Sequence, residues 1–253
     1  MKYINIDKGI LNKLTEKRFE LETRESTTHL FVENNKKKVF KLFKEGINID
    51  NKVKKIILLN DRLKKIDFVV TAESIVMHEG KPIGYIMPYI DGDLFDSVTF
   101  KKKDSILILK DIAKKLKELH KLGIVCGDLI SNIMIDSNKN VYFIDHDNFS
   151  IDNLNIDTKT ILLKEYEQEI KNFDYKFDNY LLNLITLEII TNIHTHYLKL
   201  QYIVSYNKFD FRDDEINDIV KNTFVLNESY EEDLIVDKIE TKKDFKKIKT
   251  RIF

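Results

Sequence analysis

Residues 120–149, HKLGIVCGDLISNIMIDSNKNVYFIDHDNF, constrain this chain more than any other stretch. Two short apolar runs, 123–125 and 141–144, each lead to a carboxylate: Asp128 after the first and Asp145 after the second. An amide, Asn132, stands four positions beyond Asp128. Hard cations such as Mg²⁺ take oxygen ligands, typically one or two carboxylates together with substrate phosphates, and an amide oxygen completes such a set. Asn132 and Asp145 are therefore the expected metal ligands. Phosphoryl transfer asks for positioning and charge neutralisation more than covalent chemistry, so one further carboxylate suffices to orient a hydroxyl and take its proton. Asp128 fits that role.

The segment resembles the catalytic loop and metal motif of the protein-kinase-like superfamily, H-R-D-L-x-x-x-N followed by D-F-G. Here the loop reads Cys126-Gly127-Asp128-Leu129-Ile130-Ser131-Asn132, and Ile144-Asp145-His146-Asp147 stands at the metal motif. Leu119-His120 and Gly123-Ile124-Val125 match the helix end and strand that deliver such a loop. The Gly-Asp pair is closer to the aminoglycoside and choline phosphotransferase branch than to an Arg-Asp protein kinase. Three departures stand out: the Asp128–Asn132 spacing is one residue short, Cys126 replaces the usual His, and Ile130 stands where Ser/Thr kinases carry a Lys. Asp147 gives a second reading of the metal ligand, but the apolar run ends directly before Asp145, which favours Asp145.

The resemblance implies an α+β, two-lobed fold, with a small antiparallel-sheet lobe over residues 1–90 and a mainly helical lobe over 91–253. It places ATP and Mg²⁺ (or Mn²⁺) in the cleft. The opening segment, to about residue 24, mixes short apolar groups with charge and reads as a helix or strand ahead of the sheet. Residues 26–43 then read as a hairpin, with 29–33 and 38–43 as its strands and Asn34-Asn35-Lys36 as its turn. In the superfamily the return strand carries a Lys that holds the α- and β-phosphates, and Lys41 is that residue. Alternation supports the assignment, because a Lys between apolar neighbours buries its stem and needs an anionic partner. The loop that covers the nucleotide has no glycine between 22 and 37, so Ser26, Thr27 and Thr28 are expected to offer amides and hydroxyls in its place.

Residues 48–66 have helical apolar spacing through Val53, Ile56, Ile57, Leu59, Leu63 and Ile66. The superfamily helix at this place carries a Glu that pairs with the strand Lys; none is present, and Asp50 or Glu45 would serve only with a shifted register. Either another carboxylate orients Lys41, or the first lobe is remodelled. Residues 68–70, 73–77 and 83–90 read as strands, with a turn at 79–82. The last run resembles the hinge between kinase lobes, with Met87 at the back of the adenine pocket, Pro88 offering its carbonyl and Ile90 its amide. Residues 104–122 form an amphipathic helix closed by Gly123. Residues 150–176 fall at the substrate-facing segment and lack an Ala-Pro-Glu motif. Asp178, in the first turn of an apolar helix, matches the buried Asp that holds the catalytic-loop backbone. The lysines of 242–251 read as a solvated amphipathic helix.

Composition bounds the remaining classes. Lys plus Arg and Asp plus Glu both number 42, so no overall charge draws the chain to nucleic acid or an anionic membrane. One cysteine among 253 residues excludes an internal disulfide and fits a reducing compartment. Cys126 reads as a small buried apolar residue, and His194 and His196 lack partners at zinc-ligand spacing. No signal peptide or membrane span is evident, which makes the expected location cytoplasmic. The expected activity is ATP-dependent phosphotransfer to a hydroxyl of a protein Ser/Thr or of a small molecule; the competing expectation is a pseudokinase that binds or scaffolds without turnover.

Overall fold

The computed structural model describes residues 1–16, 18–22, 25–95, 102–129, 132–152, 154, 175–191, 209–211, 213–222, 233–239 and 245–247. In chain order its elements are β1 (Lys2–Ile6), α1 (Lys8–Leu14), β2 (Arg18–Glu22), β3 (Ser26–Glu33), β4 (Lys36–Phe43), α2 (Ile49–Arg62), β5 (Ser74–His78), β6 (Lys81–Pro88) and β7 (Gly92–Leu94). There follow α3 (Lys102–Lys121), β8 (Ile124–Val125), β9 (Ile133–Asp136), β10 (Val141–Phe143), a 3-10 turn (His146–Asn148) and β11 (Ser150–Ile151). The last are α4 (Tyr175–Thr191), β12 (Phe209–Phe211), α5 (Asp214–Lys221), α6 (Ile235–Lys238) and β13 (Phe245–Lys247). The fold is mixed α+β. Its residues gather into two compact units: Met1–Asp93 with Asn132–Thr158, and Leu94–Ser131 with Lys159–Phe253.

The first unit is built on a six-stranded sheet in the order β1-β5-β6-β4-β3-β2. β3 and β4 form its hairpin, joined by Asn34 and Asn35, both at positive φ (50° and 62°). Asparagine tolerates that left-handed conformation, and a two-residue turn of this hand matches the twist of the strands. The turn is thus tighter than the sequence implies, and β4 begins at Lys36. A second tight turn, at Glu79 and Gly80, joins β5 to β6. The sheet is antiparallel except at one edge, where β1 pairs parallel with β5. This corrects the expectation of a purely antiparallel sheet: the long connection from β1 to β5 supplies the crossover that parallel neighbours need.

Both faces of the sheet are covered. Phe40, Val76 and Ile86 meet Ile6 and Leu14 on the α1 side, while Phe43, Ile75 and Tyr85 meet Val53 and Ile56 of α2 on the other. The Asp7 carboxylate caps α1 by accepting from the Ile10 amide at 2.8 Å, and Asn48 caps α2 through the Asn51 amide at 3.1 Å. Residues 68–70 do not join this sheet, although the sequence reads them as a strand. They bond to β10 instead, with the Phe143 amide donating to the Phe68 carbonyl and the Val70 amide to the Phe143 carbonyl, both at 2.8 Å.

In the second unit α3 packs on α4 and α6, and α5 packs on α6. Leu109, Ile112, Ala113, Leu116 and Leu119 make the buried stripe of α3, and Gly123, at φ +69°, ends the helix. α4 buries Phe177, Tyr180, Leu181, Leu182, Leu184, Ile185 and Leu187, as its apolar sequence requires. β12 and β13 pair antiparallel, so 245–247 is strand rather than the helix expected over 242–251; the rest of that segment lies outside the described residues. So do Ile130, His194, His196 and the greater part of 150–176. Among the described residues no helix is long and apolar enough to cross a membrane.

Candidate functional site

Lys41 lies near the end of β4, opposite Tyr85 of β6, on the sheet face that α2 covers. Only 3% of it is exposed. A buried ammonium needs compensation, and it comes from two carboxylates: Lys41 Nζ donates to Asp145 Oδ1 and, at 2.8 Å, to Asp147 Oδ1. Burial opposes the charge on Lys41, but the two carboxylates outweigh it and hold its pKa above the ordinary lysine value. The expected alternatives on the helix side, Glu45 and Asp50, are exposed.

The β9–β10 hairpin delivers the metal-ligand candidates. Ile133 pairs with Phe143, and one step further the Ile144 amide donates to the Asn132 carbonyl at 2.9 Å. Asn132, buried, and Asp145 therefore leave the same end of the hairpin from adjacent strands. Asp145 adopts a left-handed backbone, φ 61° and ψ 35°, which starts the 3-10 turn. Asn148 closes the turn, its Nδ2 donating to Asp145 Oδ2 at 2.6 Å. The Asp145 side chain keeps 17% of its surface, whereas Asp147 has none. Among the described residues no group of three or more His, Cys, Asp and Glu is arranged to hold a metal ion. An ion at Asp145 and Asn132 would thus complete its shell with phosphate oxygens and water, as Mg²⁺ commonly does.

Lys52, on α2, also enters this cluster with 3% exposure. Its Nζ lies 3.0 Å from Asp147 Oδ2, donates to Asn148 Oδ1 at 3.0 Å, and pairs with Glu25 Oε2. The result is a closed polar ring running Asp145, Lys41, Asp147, Lys52, Asn148 and back to Asp145. Tyr85 adds a donor, its hydroxyl 2.6 Å from Asp147 Oδ1. Burial favours the neutral acid at Asp147, yet Lys41 and Lys52 overcome this and hold its pKa well below the usual carboxylate range. Asp145 moves the other way, raised by burial and by the neighbouring Asp147 charge against the pull of Lys41. Burial, followed by the Asp147 charge, keeps the Tyr85 phenol protonated far above its ordinary pKa.

The nucleotide-covering residues fall differently from expectation. Ser26, Thr27 and Thr28 begin β3, facing Phe43, Leu42 and Lys41 across the ladder, so they belong to the sheet and not to the loop before it. Strand propensity at two adjacent threonines favours this. Ser26 is buried, and Thr27 Oγ1 lies 2.9 Å from His29 Nε2. Met87, half-buried in β6, packs against the cluster around Phe43 and Tyr85. Pro88, exposed, ends β6 opposite Lys38, and Ile90 is half-buried just beyond it.

The second unit carries its own polar cluster. Asp178, fully buried on α4, accepts from the Cys126 amide at 2.8 Å and from the Gly127 amide at 2.7 Å. Its Oδ2 also lies 3.0 Å from His120 Nε2. Hydrogen bonds to a carboxylate are among the stronger ones, and these fix the backbone directly ahead of Asp128, itself half-buried. Gly127 takes φ +73°, a conformation that side-chain-bearing residues rarely adopt. Burial, then the Asp178 charge, pushes the Cys126 thiol well above its ordinary pKa.

Four contributors escaped the sequence reading: Lys52, Glu25, Tyr85 and Asn148. The signal for Lys52 was there. Positions 52, 56, 59 and 63 form one helical stripe, in which a lysine stands among Ile56, Leu59 and Leu63. Glu25, next to β3, had no local signature. A scan against models of known protein families matches none of them to this chain, and a search of curated proteins finds no match.

Proposed function

We propose that the chain is an ATP- and Mg²⁺-dependent phosphotransferase that moves the γ-phosphate to a hydroxyl of a protein side chain or a small molecule, within a kinase-like two-lobed fold. The observation that carries this reading is the meeting of Lys41 from the return strand with Asp145 at the end of the β9–β10 hairpin. Those two residues are far apart in sequence and are assigned to phosphate and metal, respectively. Lys41 would hold phosphate oxygens, and Asp145 with Asn132 would hold the metal, which supplies charge neutralisation at the transferring group. Asp128, following the backbone that Asp178 fixes, is assigned the acceptor hydroxyl and its proton. Lys41 and Asp145 need only exchange each other for phosphate and metal, so the two side chains are positioned before a nucleotide arrives.

The test requires no knowledge of the acceptor. Thermal unfolding is followed with ATP, with and without Mg²⁺ or Mn²⁺, for wild type and Asp145→Asn. Ligand at 100 times its Kd adds about 2.7 kcal/mol to stability. The expected outcome is a metal-dependent rise in Tm in the wild type that Asp145→Asn abolishes; no rise at millimolar ATP rejects the reading. The pseudokinase alternative is favoured by the glycine-free covering segment, the absent helix Glu and the short Asp128–Asn132 spacing. The alternative predicts that Asp128→Ala costs partner binding and no phosphate transfer.

A further inference from the structure

Lys41 has two carboxylate partners of unlike character. Asp145 retains exposed surface and leaves the hairpin beside Asn132; Asp147 has no exposed surface, accepts hydrogen bonds at Oδ1 from Lys41 and Tyr85, and is ion-paired at Oδ2 with Lys52. If Asp145 turns to a metal ion, Lys41 loses one partner. The ion pair at Asp147 persists, because the 3-10 turn that carries it packs on α2 and Lys52 anchors the second carboxylate oxygen from that helix. The resemblance calls for a helix carboxylate at this place. The helix residue that reaches the cluster is instead a cation, and the carboxylate it would have supplied comes from two residues beyond Asp145.

We propose that Asp147 is the positioning residue for Lys41, holding its ammonium toward the nucleotide phosphates, with Lys52 as the anchor that keeps Asp147 in place. The sign of the helix residue is thereby inverted and the charge pattern preserved. Asp145 and Asp147 divide the labour, one exchanging its partner for the metal and the other never letting go. The inference rests on the nucleotide reading above.

The experiment compares the affinities of Mg·ATP and of adenosine by titration calorimetry on the full chain. Adenosine lacks the phosphates that Lys41 would hold, so the ratio of the two affinities isolates the phosphate contribution from any general loosening. Asp147→Asn is expected to lower that ratio by about tenfold or more, the scale of one charge-assisted hydrogen bond, and to leave adenosine affinity within about twofold. Should Asp147→Asn fail to fold, the charge-balanced pair Asp147→Asn with Lys52→Gln is compared with Lys52→Gln alone, and the same drop is expected between them. An unchanged ratio in either comparison overturns the inference while leaving the nucleotide site intact. A wild type that binds neither ligand overturns the phosphotransfer reading and this inference with it.

Discussion

His146 sits between the two acids of the ring, fully buried, with neither ring nitrogen hydrogen-bonded and its ring at 79° to that of Tyr85, centroids 5.7 Å apart. Burial lowers its pKa to about 4, and the charges of Lys41, Lys52 and Lys55 push the same way against the pull of Asp147. The unfolded chain takes up this proton near the ordinary value of 6.5. Between the two values the unfolded state binds more protons, so stability falls as the pH falls. The loss from pH 7.5 to 4.5 is roughly 2.5 kcal/mol for this one group. Urea unfolding at the two pH values should show that component in the wild type and not in His146→Phe; equal losses in both would assign the acid sensitivity elsewhere. Lys41 was legible because alternation placed a charge between Phe40 and Leu42. The burial of His146 was only half legible, since a ring beside Asp145 reads equally as a phosphate contact or as packing until α2 is laid over it.

Among the elements, β4 and β6 hold the cluster in register, and Gly84 lets them do so. It faces Leu42 across the ladder, and a Cβ there would run into the Lys41 carbonyl oxygen and come within 2.9 Å of the Phe40 ring. Gly84→Ala is expected to cost about 1–3 kcal/mol as an overpacking change, read as a lower urea midpoint at unchanged slope. Strand pairing between neighbours in sequence was readable: the hairpin followed from Asn34-Asn35, and α2 followed from its apolar stripe. The parallel contact of β1 with β5 was not, nor was the bonding of residues 68–70 to β10. Both depend on partners tens of residues away, where no turn sets the register.

At the scale of the whole chain, the mixed α+β class was anticipated through the resemblance carried by residues 120–149. The grouping of residues was not. A boundary near residue 90 suggests itself where the strands give way to helices, yet Asn132–Thr158 gathers with Met1–Asp93. Compactness is decided by side chains that meet: Phe143 meets Phe68 at 6.0 Å between ring centroids, and Asp147 meets Lys41. No local composition shift marks such a return. Asp178 was anticipated only through the resemblance, which calls for a buried carboxylate on the loop backbone; it accepts from the Cys126 and Gly127 amides.

The Cys126 amide ends on Asp178, and its thiol, 1% exposed, is the chain's one sulfhydryl. A thiol that burial keeps protonated reacts with alkylating reagents only when the surrounding structure opens. Each protein molecule can therefore take a single label, and the labelling rate reports the openings, local or of the whole unit, that expose this loop. Under native conditions modification should be slow, and Asp178→Asn, which weakens the hold on the Cys126 and Gly127 amides, should speed it by about tenfold or more at a temperature where the fold persists. A rate unchanged by that substitution would mean that the loop opens only when its whole unit does.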